Sequence, residues 1–145
     1  MIDLDLAARM TQAALDRATG LDALVSAAVV DAGGHLVHFQ RMDGAEIAGP
    51  TLAVDKACTA VAHRIDTAEL GPLTAPGAAL WGLQANGGGR YVVFAGGVPC
   101  WHDGRVVGGI GVSGGTAEQD AQCALAAWQV FEVSSPGDTV DRVPG

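Results

Sequence analysis

Four imidazoles, His35, His38, His63 and His102, are the groups in this chain whose ordinary titration lies nearest neutrality. His63 follows Thr59 by four residues and Lys56 by seven, so on a helix the three share one face. That stripe offers a cation, a hydroxyl and an imidazole together; a solvated helix face has the same pattern. His102 lies between Trp101 and Asp103. His63, His102 and Asp43 are the candidates for moving a proton. On a strand, His38 alternates with Val37 and Phe39, so it faces solvent or a partner if those two face the core. Arg41, Lys56 and Arg90 are the cations within reach of such groups, and an arginine fork can anchor a carboxylate. Arg41 could equally pair with Asp43 or Asp55. Trp81 and Trp101 suit either the wall of a flat-ligand pocket or core filling. Cys58, Cys100 and Cys123 are odd in number and widely spaced, which predicts free thiols and no metal site.

The segment GGVPCWHDGRVVGGIGVSGGTAEQD, residues 96–120, must position several of these groups. Its Asp103-Gly104 pair between two apolar runs predicts a hairpin of strands Val98 to His102 and Arg105 to Val112. Ser113-Gly114-Gly115 then leads into a helix at Thr116, with Gln119 three residues on to complete a capping box. Gly108, Gly109 and Gly111 crowd the second strand, where glycine is costly unless something approaches the backbone closely. These features predict a concave surface roofed by N–H groups at a helix N-terminus, with Ser113, Gly114 and Gly115 binding an anion or stabilising an oxyanion. A positive φ is expected at Gly115.

VVGGIGVSGGTAEQD resembles the closing motif of the GlcG/HbpS-like haem-binding family, whose domain also forms the C-terminal part of PduO-type cobalamin adenosyltransferases. VVDAGGHLVHFQRMDGA (29–45) and DKACTAVAHR (55–64) are similar to two further family motifs, in the same order. The resemblance spans roughly residues 3 to 130. It implies a profilin-like five-stranded antiparallel sheet flanked by helices, haem or a related flat ligand, and a homo-oligomer. Lys56 and Thr59 fall on recurrent motif positions, which adds to the case for a binding stripe with His63. His63 itself departs from the family pattern, where a bulky apolar residue is usual, as does the Trp101-His102 pair.

The elements read from the chain agree on fold class. A helix capped by Asp3 or Asp5 runs to about Thr19, and strands Leu24 to Val30 and His35 to Arg41 flank an Asp-Ala-Gly-Gly turn. A second helix runs from about Pro50 to Arg64, with a helical turn at Thr67 to Leu70. The irregular stretch Gly71 to Gly89 reads as a binding loop, lid or interface segment. Arg90 to Ala95 is expected as a third strand, and the last helix runs from Thr116 to about Phe131. The order predicts an α+β domain over residues 1–131, with a frayed tail over 132–145.

At 145 residues the chain can bury a core without disulfides, and with only 5% aromatics that core must be built from small aliphatics. A net charge of −8 argues against nucleic acid and anionic membranes as partners. No apolar run is long enough to span a bilayer, and the acidic start, unlike a signal peptide, predicts a cytoplasmic protein. The expected function is small-ligand binding, with haem as the named case. The alternatives are a cofactor-independent isomerase, lyase or tautomerase, and an oligomeric module without chemistry of its own.

Overall fold

The computed structural model describes residues 1–134. Its elements are α1 (Leu4–Gly20), β1 (Ser26–Asp31), β2 (Leu36–Arg41), α2 (Ala48–His63), α3 (Thr67–Thr74), β3 (Gly97–His102), β4 (Arg105–Ser113) and α4 (Ala117–Ser134). The strands form a four-stranded antiparallel sheet in the order β2-β1-β4-β3. Helix α2 covers one face; α1 and α4 pack side by side on the other. The tail expected to fray lies mostly outside the described residues, since α4 continues to Ser134. Among the described residues, no helix is long and apolar enough to cross a membrane.

Local chemistry accounts for the ends of these elements. The Asp3 carboxylate caps α1 by accepting from the Leu6 N–H at 2.8 Å. Asp103 and Gly104 take φ of 51° and 74°, the double positive φ that a two-residue hairpin turn requires. The Asp31 carboxylate accepts from the N–H groups of Gly33 and His35, each at 2.9 Å, and so closes the β1–β2 turn. The N–H groups of the His35 and Gly33 backbone hold the Asp31 carboxyl below its ordinary range, the His35 bond being the larger influence.

The two faces of the sheet are built differently. Toward α1 and α4 lie Val25, Ala27, Val29, Val98, Ile110 and Val112, which meet Leu6, Met10, Cys123 and Phe131 in an aliphatic core. Toward α2 the sheet presents Gly109 and Gly111. A Cβ at Gly111 would overlap the Ala53 carbonyl, and one at Gly109 would sit 2.9 Å from Val61 Cγ2. The close approach that strand glycines signal is therefore made by helix α2.

The expected fifth strand is absent. Residues Arg90 to Ala95 form no ladder, because their polar groups are taken by the α2 helix. The Val92 N–H donates to Thr59 Oγ1 at 3.0 Å, and the Arg90 guanidinium pairs with Asp55 at 2.9 Å. The stretch before it winds through two 3-10 turns, Leu83–Ala85 and Gly87–Gly89. Helix α3 is a full turn longer than its sequence suggests, despite Pro72 within it.

Candidate functional site

A cleft of about 330 Å³ opens between the β1–β2 turn, the C-terminal half of α2 and the 87–91 segment. Gly33 and Gly34 form one lip, Cys58, Thr59 and Ala62 the helical wall, and Arg90 and Tyr91 the other lip. Gly34 has φ +82°, and its carbonyl accepts from the Cys58 thiol at 3.3 Å, tying the turn to the helix. Gly87, with φ +62°, lies on the Tyr91 ring so closely that a Cβ would stand 2.7 Å from Cζ. His63 packs edge-on to that ring, with centroids 4.4 Å apart and planes at 84°. The arrangement leaves a slot between glycine backbone and an aromatic ring, with one guanidinium at its mouth.

Charge in the cleft is set by Arg90 and Asp55. Arg90 Nε and Nη2 both reach Asp55 Oδ1 at 2.9 Å, which raises the guanidinium pKa still further and keeps it charged. Its Nη2 also stands 3.6 Å from Cys58 Sγ. Burial pushes the Cys58 thiol up, and Arg90 only partly opposes it, so the sulfur faces the cleft as a neutral thiol. Thr59 is fully buried. Its hydroxyl donates to the Asp55 carbonyl at 2.7 Å and accepts from Val92 N–H, so its role is to fasten the 90–95 segment to α2.

Lys56, one turn earlier, is 1% exposed. Its ammonium donates to the Val112 carbonyl at 2.9 Å and to Asp120 Oδ2 at 3.1 Å, and lies 5.1 Å from the centre of the Phe94 ring. Asp120 Oδ1 accepts in turn from the Gly115 N–H at 2.9 Å. Lys56 and the Ser113-Gly114-Gly115 junction do come together, as their motifs suggested, but Asp120 fills the space between them. Burial lowers the Lys56 pKa and raises that of Asp120, and the mutual attraction offsets each shift only in part.

The junction's amide groups are likewise spoken for. Thr116 N–H donates to Gln119 Oε1 at 2.9 Å and Gln119 N–H to Thr116 Oγ1 at 3.2 Å, the reciprocal capping box expected from the sequence. With Gly115 N–H held by Asp120, these amide groups are engaged within the protein, and the neighbouring hollow is flanked by Asp22 and Glu46. Positive φ belongs to Gly114, at +139°, where a Cβ would overlap the Leu24 carbonyl. Gly115 does not have it, which corrects the expectation; the chain reverses one residue earlier because the backbone of Leu24 and Val25, just before β1, leaves no room for a side chain at 114.

The remaining candidates are dispersed. Trp101 and His102 stand at the β3–β4 tip, where His102 Nε2 is 3.3 Å from Asp103 and Nδ1 is buried without a hydrogen-bond partner. Asp43 follows β2 at the other end of the sheet. β1 runs from Ser26, beside Arg41, to Asp31, beside Gly108, so Asp43 and His102 are separated by roughly 20 Å at ~3.4 Å per residue. Arg41 is exposed and donates to the Ala45 carbonyl at 2.8 Å. His38 faces α1, where Nδ1 meets Thr11 Oγ1 at 2.9 Å; Gln40 joins the same hydroxyl at 3.0 Å. Trp81 is 67% exposed. Sequence reasoning missed Gly34, Cys58 and Tyr91 as cleft residues. The available signal was the chain's one tyrosine directly after Arg90, at the end of the glycine-rich stretch.

Residues 2–129 match the family model described as haem degrading protein HbpS-like. The corrinoid adenosyltransferase PduO of Salmonella typhimurium is 44% identical over 125 residues, covering 84% of this chain; the chain spans 37% of PduO's length. A Klebsiella pneumoniae protein, ORFY, superposes with a TM-score of 0.88 at 37% identity, covering 90% of each chain. PduOC, solved as a haem complex, superposes with a TM-score of 0.84 at 40% identity, covering 87% of this chain and 91% of its own.

Proposed function

The chain belongs to the HbpS-like family of haem degrading proteins, and on that premise we propose that it binds haem, or a flat ligand like it, in the cleft between Gly34 and Tyr91. The observation that carries this reading is the slot itself, where glycine backbone faces an aromatic ring and an arginine stands at the mouth. Its volume lies at the lower end of the range for small-molecule sites, so a macrocycle would enter by one edge and keep the rest in solvent. The residue types fit the group. Phenol is a ligand type for haem iron, and Tyr91 supplies one at the cleft lip. Asp55 holds Arg90 through Nε and Nη2, and the guanidinium's remaining N–H groups are the donors for a ligand carboxylate. When bound, haem would supply an iron centre whose reactivity its axial ligand tunes.

In this reading Lys56, Thr59, Ser113, Gly114 and Gly115 are frame residues: they hold α2, β4 and α4 in register behind the cleft. The exposed side chains of Leu73, Leu80, Trp81 and Phe94, between 41% and 67% exposed, are read as an association surface of a homo-oligomer. Light scattering checks that part, and a lone 14.6 kDa species would refute it.

Titration of the purified protein with haemin tests the ligand. Saturable one-to-one binding with a shifted Soret band is expected, weakened in Tyr91→Ala. A Soret band identical to that of free haemin throughout the titration would overturn the reading.

A further inference from the structure

One stretch of the chain takes part in no layer of the fold. Residues 75–90 run from the end of α3 to the cleft lip, and none of them is buried. They are fastened at both ends, by buried Thr74 and by Val92, whose N–H is held on Thr59. Among the described residues, the backbone N–H groups in this stretch bond within it, apart from that of Leu80, which donates to the Leu73 carbonyl at 2.9 Å. Five of its glycines have positive φ: Gly77, Gly82, Gly87, Gly88 and Gly89. At all but Gly87 a Cβ would meet nothing within 4 Å, so packing does not fix these positions. A segment anchored at its ends, bonded to itself and jointed by glycines can move as a unit about its joints.

The joint at Gly87–Gly89 borders the cleft, since Gly87 lies on the Tyr91 ring and both residues line the slot. Beyond that joint the segment carries Leu80 and Trp81, 42% and 67% exposed. Trp81 precedes Gly87 by six residues, so at ~3.4 Å per residue its backbone lies within roughly 20 Å of the lip. An indole standing in water gains burial by moving onto a ligand, and its flat face suits stacking. The cleft, for its part, takes a macrocycle by one edge only. From these observations we propose that residues 78–86 are a lid, jointed at Gly77 and at Gly87–Gly89. Closing releases the Leu80–Leu73 hydrogen bond and lays Trp81 over the part of the ligand that the cleft leaves in solvent. Trp81 is then a binding residue, and the lid sets how long the ligand stays. This lid rests on the haem-binding reading of the cleft, to which it adds the missing cover.

Haemin is the probe, and the parent protein must first show the shifted Soret band. Hydrogen exchange followed by mass spectrometry should then slow in residues 78–86 when haemin binds, beside the slowing expected at 87–91. Light scattering on the same samples should give one mass with and without haemin. Slowing that comes only with a larger assembly would assign Trp81 to subunit contact and overturn the lid. Release is read by transfer of haemin to an excess of an apo-globin. Trp81→Ala should release haemin roughly 2- to 10-fold faster, the scale of one aromatic contact. Its association rate should be nearly unchanged, because the lid closes after the ligand has entered. Trp81→Phe should restore slow release, and both variants should melt with the parent, since the indole is exposed in the free protein. Unchanged exchange in 78–86, or equal release from the parent and Trp81→Ala, removes the lid and leaves the cleft reading standing. A parent that does not bind haemin removes both.

Discussion

Replacing Lys56 by methionine should be among the most damaging single changes outside the aliphatic core. Lys56 and Asp120 are 1% and 5% exposed at their side chains and 3.1 Å apart. Removing the cation leaves a buried carboxylate and strips the Val112 carbonyl of its lysine donor. Breaking a buried pair from one side costs about 3–5 kcal/mol, equivalent to a loss of roughly 10–15 °C in melting temperature for a domain of this size. The pH dependence follows from Asp120. Burial already holds its carboxyl above the ordinary value, and Lys56 is the largest opposing influence, so the variant raises it further. A carboxyl whose folded pKa lies above its unfolded one binds its proton more tightly when folded. It therefore destabilises the fold as pH rises from the unfolded value through the folded one, and Lys56→Met should regain stability on acidification. In the double variant with Asp120→Asn, the Asn carbonyl can still accept from Gly115 N–H and no buried charge remains. Burial works against ionisation at both partners, so the double variant should be more stable than Lys56→Met alone. Urea denaturation at pH 5 and pH 8 gives all of these quantities. A Lys56→Met protein within about 1 kcal/mol of the parent at pH 8, or strictly additive single effects, would refute the reasoning. Below its melting transition, Lys56→Met should still bind haemin, because the ammonium supports the cleft from behind without entering it.

Gly114→Ala should cost roughly 1–3 kcal/mol, since it strains a φ of +139° and meets the Leu24 carbonyl, whereas Gly115→Ala should cost less because it meets the side chains of Gln119 and Asp120 and no backbone; matched urea curves compare the two. Gly111→Ala forces α2 off the sheet and should lower stability by about 3 kcal/mol or more, or abolish soluble expression; a melting temperature within 2 °C of the parent would remove the close-packing account. Arg90→Ala should weaken haemin binding severalfold with a modest fall in melting temperature, because its guanidinium is more than half exposed while the Asp55 carboxylate it leaves behind is mostly buried; equal affinity would take Arg90 out of the site.

The elements were legible where local chemistry decides them. The Asp103-Gly104 turn, the Asp3 cap and the Thr116–Gln119 box are short-range signals, and all three appear in the fold. Arg90 to Ala95 was misread because its apolar run looks like a strand, while its actual partners, Asp55 and Thr59, are more than thirty residues away. For the same reason the Lys56–Thr59–His63 stripe resolved only in three dimensions. One face of α2 delivers Lys56 to a buried ion pair, Thr59 to the 90–95 segment and His63 to Tyr91. Spacing put the three on a common face but could not say what would pack against it. The glycines of β4 announced a close approach without naming the visitor, and a helix backbone fits that description as well as a ligand does.

Because α2 rests on the backbone of β4, the two sides of that strand should tolerate change under different rules. On the α1–α4 side, Ile110 and Val112 interlock with other side chains, and swaps that conserve volume can be absorbed by repacking. On the α2 side a Cβ at Gly111 would meet only helix backbone, at Ala53 and Ala57, so no compensating substitution elsewhere can restore a lost fit there. A saturation library over residues 109–112 should therefore recover variants in alternation, permissive at 110 and 112 and silent at 109 and 111. The intolerant positions would trace the track on which the helix carrying His63 is seated.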